Sequence, residues 1–276
     1  MTAPNPSASL PRFWAELTSP DFAALDPART VAVLPLGATE QHGPHLPLQV
    51  DSTLANGVIG AALPLLPAGL PVLFLPTQTV GFSPEHAAFP GTLTLKADTV
   101  VRLWTDIAEG VAAAGVKKLV LFNAHGGHVG LMDVVARELR ARLGLLVYSV
   151  SWFNLPLPAA VEALFPPDEH RFGVHAGDVE TSMMLALAPA QVRMAEAQPF
   201  HSTSRDRAAT YPLLGNGKSA KFAWQMQDVN PAGAAGNAAA ATAQKGEALL
   251  QASGQALAQL LAEVSQLPLS TLVTRP

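Results

Sequence analysis

The sequence predicts a layered α/β fold around a mostly parallel sheet. Two observations predict it. Short apolar runs bounded by Gly, Pro or charge read as buried strands, and stretches of helical periodicity separate most of them. Along the chain, residues 1–28 are rich in Pro and Ser, with one short helical candidate at Trp14 to Leu17. Val31 to Leu36 is an uninterrupted apolar run and predicts the first strand. Asp51 fits an N-cap for a helix over Leu54 to Leu66. Pro71 to Pro76 predicts a second strand and Gly91 to Leu95, with alternating character, a third. Ala97 to Ala114 reads as a helix, Lys118 to Phe122 as a strand, Val129 to Leu143 as a helix stopped by Gly144, and Leu145 to Ser151 as a strand. Asp178 to Leu187 reads as a buried helix and Ala238 to Val264 as a long C-terminal one. The Ala/Gly-rich stretch Pro231 to Ala243 reads as a tight loop into that helix. No repeat or boundary appears, so the chain is read as one domain, 1–276.

Composition narrows the function classes. Hydrophobic residues make up 49% of the chain and charged residues 14%, enough for a sizeable core and too few for a heavily charged surface. A surface so poor in charge fits burial in an oligomer. The net charge is -4 and the longest basic run is Lys117–Lys118, so nucleic acid is not expected as a partner. Every apolar segment is broken before it reaches spanning length, so no membrane partner is expected. The N-terminus lacks a basic then apolar leader pattern, which points to a soluble cytoplasmic protein. Without a single cysteine, disulfides, thiolate metal sites and a Cys nucleophile are excluded. Any metal must be held by nitrogen and oxygen, which suits Zn, Mn, Fe(II) or Mg.

The histidines cluster. His42 and His45 share one loop, His125 and His128 another, and His170 and His175 lie close in a third region. The first two loops each follow a predicted strand, where open α/β sheets bind ligands. In the first, Glu40 and His42 can project the same way from extended backbone. With Asp51 they supply two carboxylates and an imidazole, and a carboxylate can bridge two neighbouring cations. The plainer reading is a polar turn with a helix cap. His125-Gly-Gly-His128 is weak alone. Asp178 and Glu180 open a helix, where the dipole favours carboxylates. An apolar stretch follows at Met183 to Ala188, so Glu180 is expected to point into protein and to need a partner, which a metal would serve. There is no HExxH, GxSxG, Walker loop or GxGxxG.

Four stretches, LPLGATEQHGPHLPLQVD (34–51), GFSPEHAAFPGTLTL (81–95), NAHGGH (123–128) and HAGDVETS (175–182), together resemble the creatininase (creatinine amidohydrolase) family. They occur in the family's order, with a weaker echo over 241–250. The resemblance implies a three-layer α/β/α sandwich with a mostly parallel central sheet. It also implies a homo-oligomer, often a hexamer, and two divalent metal ions that activate water to hydrolyse a C–N bond. The substrate would be a small-molecule cyclic or linear amide. Carried over, Glu40 and His125 hold one ion and His42 the other, with Asp51 bridging. The ions are expected to be zinc, with manganese or Fe(II) as alternatives. His175 matches the catalytic histidine, with Asp178 beside it, and Ser83 and His86 lie on the segment that approaches substrate.

Two departures qualify this. Creatinine-hydrolysing members carry an aromatic residue and then a Glu after the loop histidine, and here those positions are Gly126 and Gly127. Glu180 is the candidate for the missing carboxylate, and creatinine is a poor candidate substrate. His128 stands where many members have Asn and is expected to add an outer donor or a further ligand on the substrate side. The family also contains enzymes acting on inosose-type sugars; the alternative within it is a deformylase or a peptidase acting in cofactor maturation. A non-catalytic metal-binding homologue is the alternative from another class.

Overall fold

The computed structural model describes residues 11–273; the remainder of the Pro- and Ser-rich lead, residues 1–10, lies outside the described residues. Four strands, β1 (Val31–Leu36), β2 (Val72–Phe74), β3 (Lys118–Asn123) and β4 (Leu146–Ser151), form a wholly parallel sheet in the order β2-β1-β3-β4. The register places Val31 beside both Val72 and Lys118, and Lys118 beside Leu146. The long helices are α1 (Val50–Ala62), α2 (Ala97–Ala113) and α3 (Val129–Leu143). After β4 come α4 (Ala159–Glu162), α5 (Pro167–Phe172), α6 (Asp178–Leu187), α7 (Thr203–Thr210), α8 (Met226–Val229) and α9 (Ala243–Gln266). A two-residue antiparallel pair, β5 (Pro199–Phe200) with β6 (Gly236–Asn237), lies apart from the main sheet.

Alternation along the strands sorts the core into two layers. Val31, Val33, Val72, Phe74, Val120 and Phe122 pack with apolar residues of α1, α6 and α9. Ala32, Leu34, Leu36, Leu73, Leu119 and Leu121 pack with α2 and α3, including Trp104, Val135 and Leu139. β1 is buried at all six positions, so a strand covered on both faces reads as continuous apolar sequence rather than alternation. Each fully buried Val or Leu is worth about 1.5–3 kcal/mol in area removed from water. The architecture is the three-layer α/β/α sandwich. Pro35 sits in the central strand at the cost of one ladder donor. That gap falls where β2 has already ended, and the Gln78 N–H reaches back to the Pro35 carbonyl at 2.9 Å.

Several local expectations need correction. Gly91 to Leu95 is not a strand: Leu93 N–H donates to Thr39 and Leu95 N–H to Gly81, so the segment bridges two different neighbours and builds no ladder. Asp51 is not a cap. The helix begins at Val50 with Gln49 before it, which puts Asp51 inside the first turn, and Pro64 tightens its end into a 3₁₀ turn, Leu63–Leu65. The C-terminal helix starts at Ala243, where the Thr242 side chain caps Lys245 N–H, and Ala238–Ala240 form a separate 3₁₀ turn. Trp14–Glu16 is 3₁₀ rather than α. Among the described residues, no helix is long and apolar enough to cross a membrane.

Candidate active site

Parallel strands open their carboxyl ends on one rim, and there the polar loops converge. The loop after β1 carries Glu40 and His42 and runs into α1 with Asp51. The loop after β3 carries His125, and the first turn of α6 carries Glu180. The Leu93 and Leu95 hydrogen bonds, to Thr39 and Gly81, clasp the Glu40 loop to the segment bearing Ser83 and His86. His175 is pinned by a bridge to Ala235. Glu40, His42, Asp51, His86, His125 and His175 are all buried, and Glu180 keeps 18% side-chain exposure.

Asp51 is the centre of the arrangement. Its Oδ1 lies 3.7 Å from His42 Nε2, and its Oδ2 lies 3.7 Å from His125 Nδ1. Glu40 Oε1 is 3.2 Å from the same His125 nitrogen, and Glu180 Oε2 is 3.9 Å from His42 Nε2. Main-chain carbonyls fix which ring nitrogens carry protons. His42 Nδ1–H donates to the Glu40 carbonyl at 3.0 Å and His125 Nε2–H to the Phe82 carbonyl at 3.0 Å. Neutral His42 and His125 therefore turn lone pairs, not protons, toward the carboxylates. Ala176, at φ 54°, is held in the left-handed region and aims its N–H at Glu180 Oε2.

Lone pairs facing lone pairs in a dry site are stable only with protons or a cation between them. Burial presses the His42 imidazolium down, but Asp51, Glu180 and Glu40 outweigh it and hold its pKa up at about 9. Burial lifts Glu180 to about 7 against the pull of the His42 charge. Both oxygens of Glu40, Oδ2 of Asp51 and Nε2 of His42 are buried without a hydrogen-bond partner. Glu40, Asp51 and His125 offer converging ligand atoms, as do His42, His175 and Glu180. This set of three carboxylates and imidazole nitrogens fits divalent cations of the Zn, Mn or Fe(II) kind.

The structure does not bring every candidate into this cluster. His128 is fully buried, with Nε2 accepting from Phe82 N–H at 3.1 Å and Nδ1 donating to Asn123 Oδ1 at 3.0 Å. With both nitrogens committed and its ring against Trp104, it stands behind His125 rather than in reach of a ligand. Asp178 is engaged by Lys245 Nζ at 2.6 Å and Ser182 Oγ at 3.0 Å, at the N-terminus of α6. Ser83 is fully buried with its hydroxyl 3.4 Å from His125 Nε2, backing that ring. Two residues escaped sequence reasoning. Glu85 brings its carboxylate 3.4 Å from His125 Nε2 and fills the space beside Gly127, where any Cβ would collide with it, with His125 and with the Phe82 carbonyl. Gln41 lies between His86 and His175. Its place inside the E-x-H motif was the available signal.

Residues 15–261 match the family model Creatininase, described as creatinine amidohydrolase. A mycofactocin precursor peptide peptidase of Mycobacterium tuberculosis is 34% identical over 184 residues, which are 64% of this chain and 66% of that protein's length. The creatinine amidohydrolase of Pseudomonas putida is 30% identical over 272 residues, covering 91% of this chain and 96% of its own. Among solved structures, a putative creatinine amidohydrolase from Bacteroides fragilis superposes with a TM-score of 0.73 at 26% identity, over 92% of this chain and 96% of that one. A creatininase mutant of the Zn–Zn type gives 0.71 at 28% identity, over 91% and 97%. With its family model spanning most of the sequence, this chain belongs to the creatininase family.

Proposed function

We propose that the chain is a dinuclear-metal amidohydrolase that cleaves the C–N bond of a small-molecule amide. One observation carries the reading: each oxygen of Asp51 faces a different imidazole lone pair, and each of those imidazoles is turned by a main-chain carbonyl. Glu40 and His125 would hold one cation, His42 and Glu180 the other, and Asp51 would bridge. Zinc is the first choice, with manganese and Fe(II) as alternatives that the same donors accept. Bound there, two such cations supply Lewis-acid polarisation of an amide carbonyl and lower the pKa of water toward neutrality. His175 takes the proton of the attacking water and returns it to the leaving nitrogen as the C–N bond breaks. His86 faces the reacting group. Ser83 and His128 hold His125 in place, and Asp178, tied to Lys245, anchors the helix that presents Glu180.

The test is metal content per chain by elemental analysis, beside the Glu180→Gln variant. Two ions falling to one supports the reading. A single ion, unaffected by the change, overturns it. Creatinine is not the proposed substrate, because Glu85 takes the space over Gly127 that the creatinine-hydrolysing members fill from the loop itself. A second reading, a peptidase acting in cofactor maturation, is favoured by the similarity to the mycofactocin precursor peptide peptidase. A panel of cyclic amides, formylated amines and short peptides separates the two. We further propose a cytoplasmic homo-oligomer, a hexamer by analogy with the family. The low charge fraction and the exposed apolar side chains Tyr211, Leu213, Leu214 and Phe222 support oligomerisation. Sedimentation as a monomer at micromolar concentration would refute it.

A further inference from the structure

We propose that Gln41 is a positioning residue that gives two histidines opposite roles: His86 as a hydrogen-bond donor through Nε2, and His175 as a proton acceptor through Nδ1. The proposal rests on the amidohydrolase reading above. Gln41 is 5% exposed and lies against both rings, whose centroids are 4.2 Å apart. Its amide orientation is fixed from outside. Gly43 N–H donates to Oε1 at 3.0 Å, so the atom 2.7 Å from His86 Nδ1 is the amide nitrogen. An amide nitrogen can only donate, so His86 Nδ1 must be a lone pair. The proton of the neutral ring then sits on Nε2, 3.3 Å from Glu40 Oε1.

The main chain of the same residue sets the second ring. His175 Nε2–H donates to the Gln41 carbonyl at 2.7 Å. The Gln41 amide nitrogen also lies 3.3 Å from that Nε2, but a nitrogen already bearing a hydrogen cannot accept, so the amide hydrogen belongs to His86. His175 Nδ1 is left as the free lone pair, 3.9 Å from Glu40 Oε1. Gly233, at φ 80°, leaves room for this amide, since a Cβ there would collide with Gln41 Oε1.

Two consequences follow for the reaction. Glu40, His86 and His175 converge as a third set of possible ligand atoms, yet a ring whose facing nitrogen carries a hydrogen is a donor rather than a ligand. Glu40 Oε1 has no hydrogen-bond partner, so the His86 hydrogen is free for the carbonyl oxygen of an amide as negative charge develops on it. His175 Nδ1 meanwhile takes the proton released as the C–O bond forms and delivers it to the nitrogen as the C–N bond breaks.

Long-range proton–nitrogen correlation on zinc-loaded protein carrying ¹⁵N-histidine, assigned with single His→Gln variants, reads the two tautomers directly. Wild type is expected to show His86 and His175 both protonated on Nε2. Gln41→Glu puts an acceptor beside His86 Nδ1, so His86 should switch to the Nδ1–H form while His175, held by the backbone, does not. Turnover should fall about 10²-fold, the scale of losing one positioned donor, with metal content unchanged. Gln41→Leu should leave His86 in mixed tautomers with a smaller loss. A wild-type His86 protonated on Nδ1, or one that ignores Gln41→Glu, overturns the proposal. The expected tautomers in a protein that binds no metal and cleaves no amide would instead sink the amidohydrolase reading and leave the role of Gln41 in setting the rings.

Discussion

The two ends of β3 treat buried polar groups in opposite ways. At its start, Lys118 is 1% exposed, and its ammonium donates to the carbonyls of Val264, Ser265 and Leu267 at 2.9, 2.7 and 2.6 Å. Those carbonyls are the unpaired acceptors at the C-terminus of α9, where the helix dipole favours a cation. Every hydrogen of the buried charge is used. At the other end of the strand, His125 turns a lone pair toward Glu40 and Asp51, and buried oxygens of both carboxylates have no partner. The first end is arranged for stability, because a satisfied buried charge locks helix to sheet. The second is arranged for a ligand, because its oxygens are held in place and left unpaired.

The largest effect should come from the unpaired end. Asp51→Asn is expected to lose metal and to lower turnover by about 10³-fold or more, the scale of removing a principal electrostatic element. The melting temperature of the metal-free protein should not fall, since a repelling carboxylate has gone. Full metal content and activity in this variant would break the bridging assignment. The mirror experiment is Lys118→Met. It leaves three helix carbonyls unsatisfied and should cost about 3 kcal/mol in denaturant unfolding, with metal affinity unchanged at 25 °C. A neutral result would mean that water replaces the ammonium.

The chelated protein should show the contrast in its pH profile. His42, raised from 6.5 to about 9, adds stability that is complete below pH 6.5 and lost as pH rises to about 9. Glu180, raised from 4.5 to about 7, makes stability fall between those values as the unfolded carboxyl ionises first. His45 and His86, lowered from 6.5 to about 4 chiefly by burial, work the other way: acid favours the unfolded chain below pH 6.5. The sum places maximum stability near pH 6.5, and saturating zinc should flatten the alkaline limb by replacing protons. Melting temperature against pH, with and without zinc, checks this; an alkaline limb identical in both would break it. A smaller effect belongs to His128→Ala, which removes the ring behind His125 and should weaken metal binding about tenfold by titration calorimetry. At the bottom of the scale, Arg137→Ala removes an exposed pair with Asp133 at 2.9 Å and should leave the melting curve unchanged.

Much of the carboxylate–histidine cluster could be anticipated because its residues lie in short motifs at strand ends. Glu40 and His42 share one loop, Asp51 follows within its helix, and His125 closes β3. Glu180 was legible from the apolar stretch behind it. The failures were tertiary. Asp178 looked like a proton partner until Lys245, 67 positions on, claimed its carboxylate. His128 looked accessible until Trp104 and Phe82 enclosed it. Glu85 carried no signal of its own and Gln41 only its place between Glu40 and His42, since their roles depend on which rings fold against them.

By itself the sequence determined the α/β layering, through apolar runs that only a doubly covered strand explains. It also determined the chemical type of the site, through nitrogen and oxygen donors in a chain without cysteine. Only the tertiary structure decided which nitrogen of each histidine is free and which carboxylate fills the space over Gly127. It also decided which buried charge is satisfied and which is held open. The physical reason is that hydrophobic periodicity is local and additive along the chain. A hydrogen bond's direction depends on atoms brought together from distant segments, and only the packed fold sets those directions.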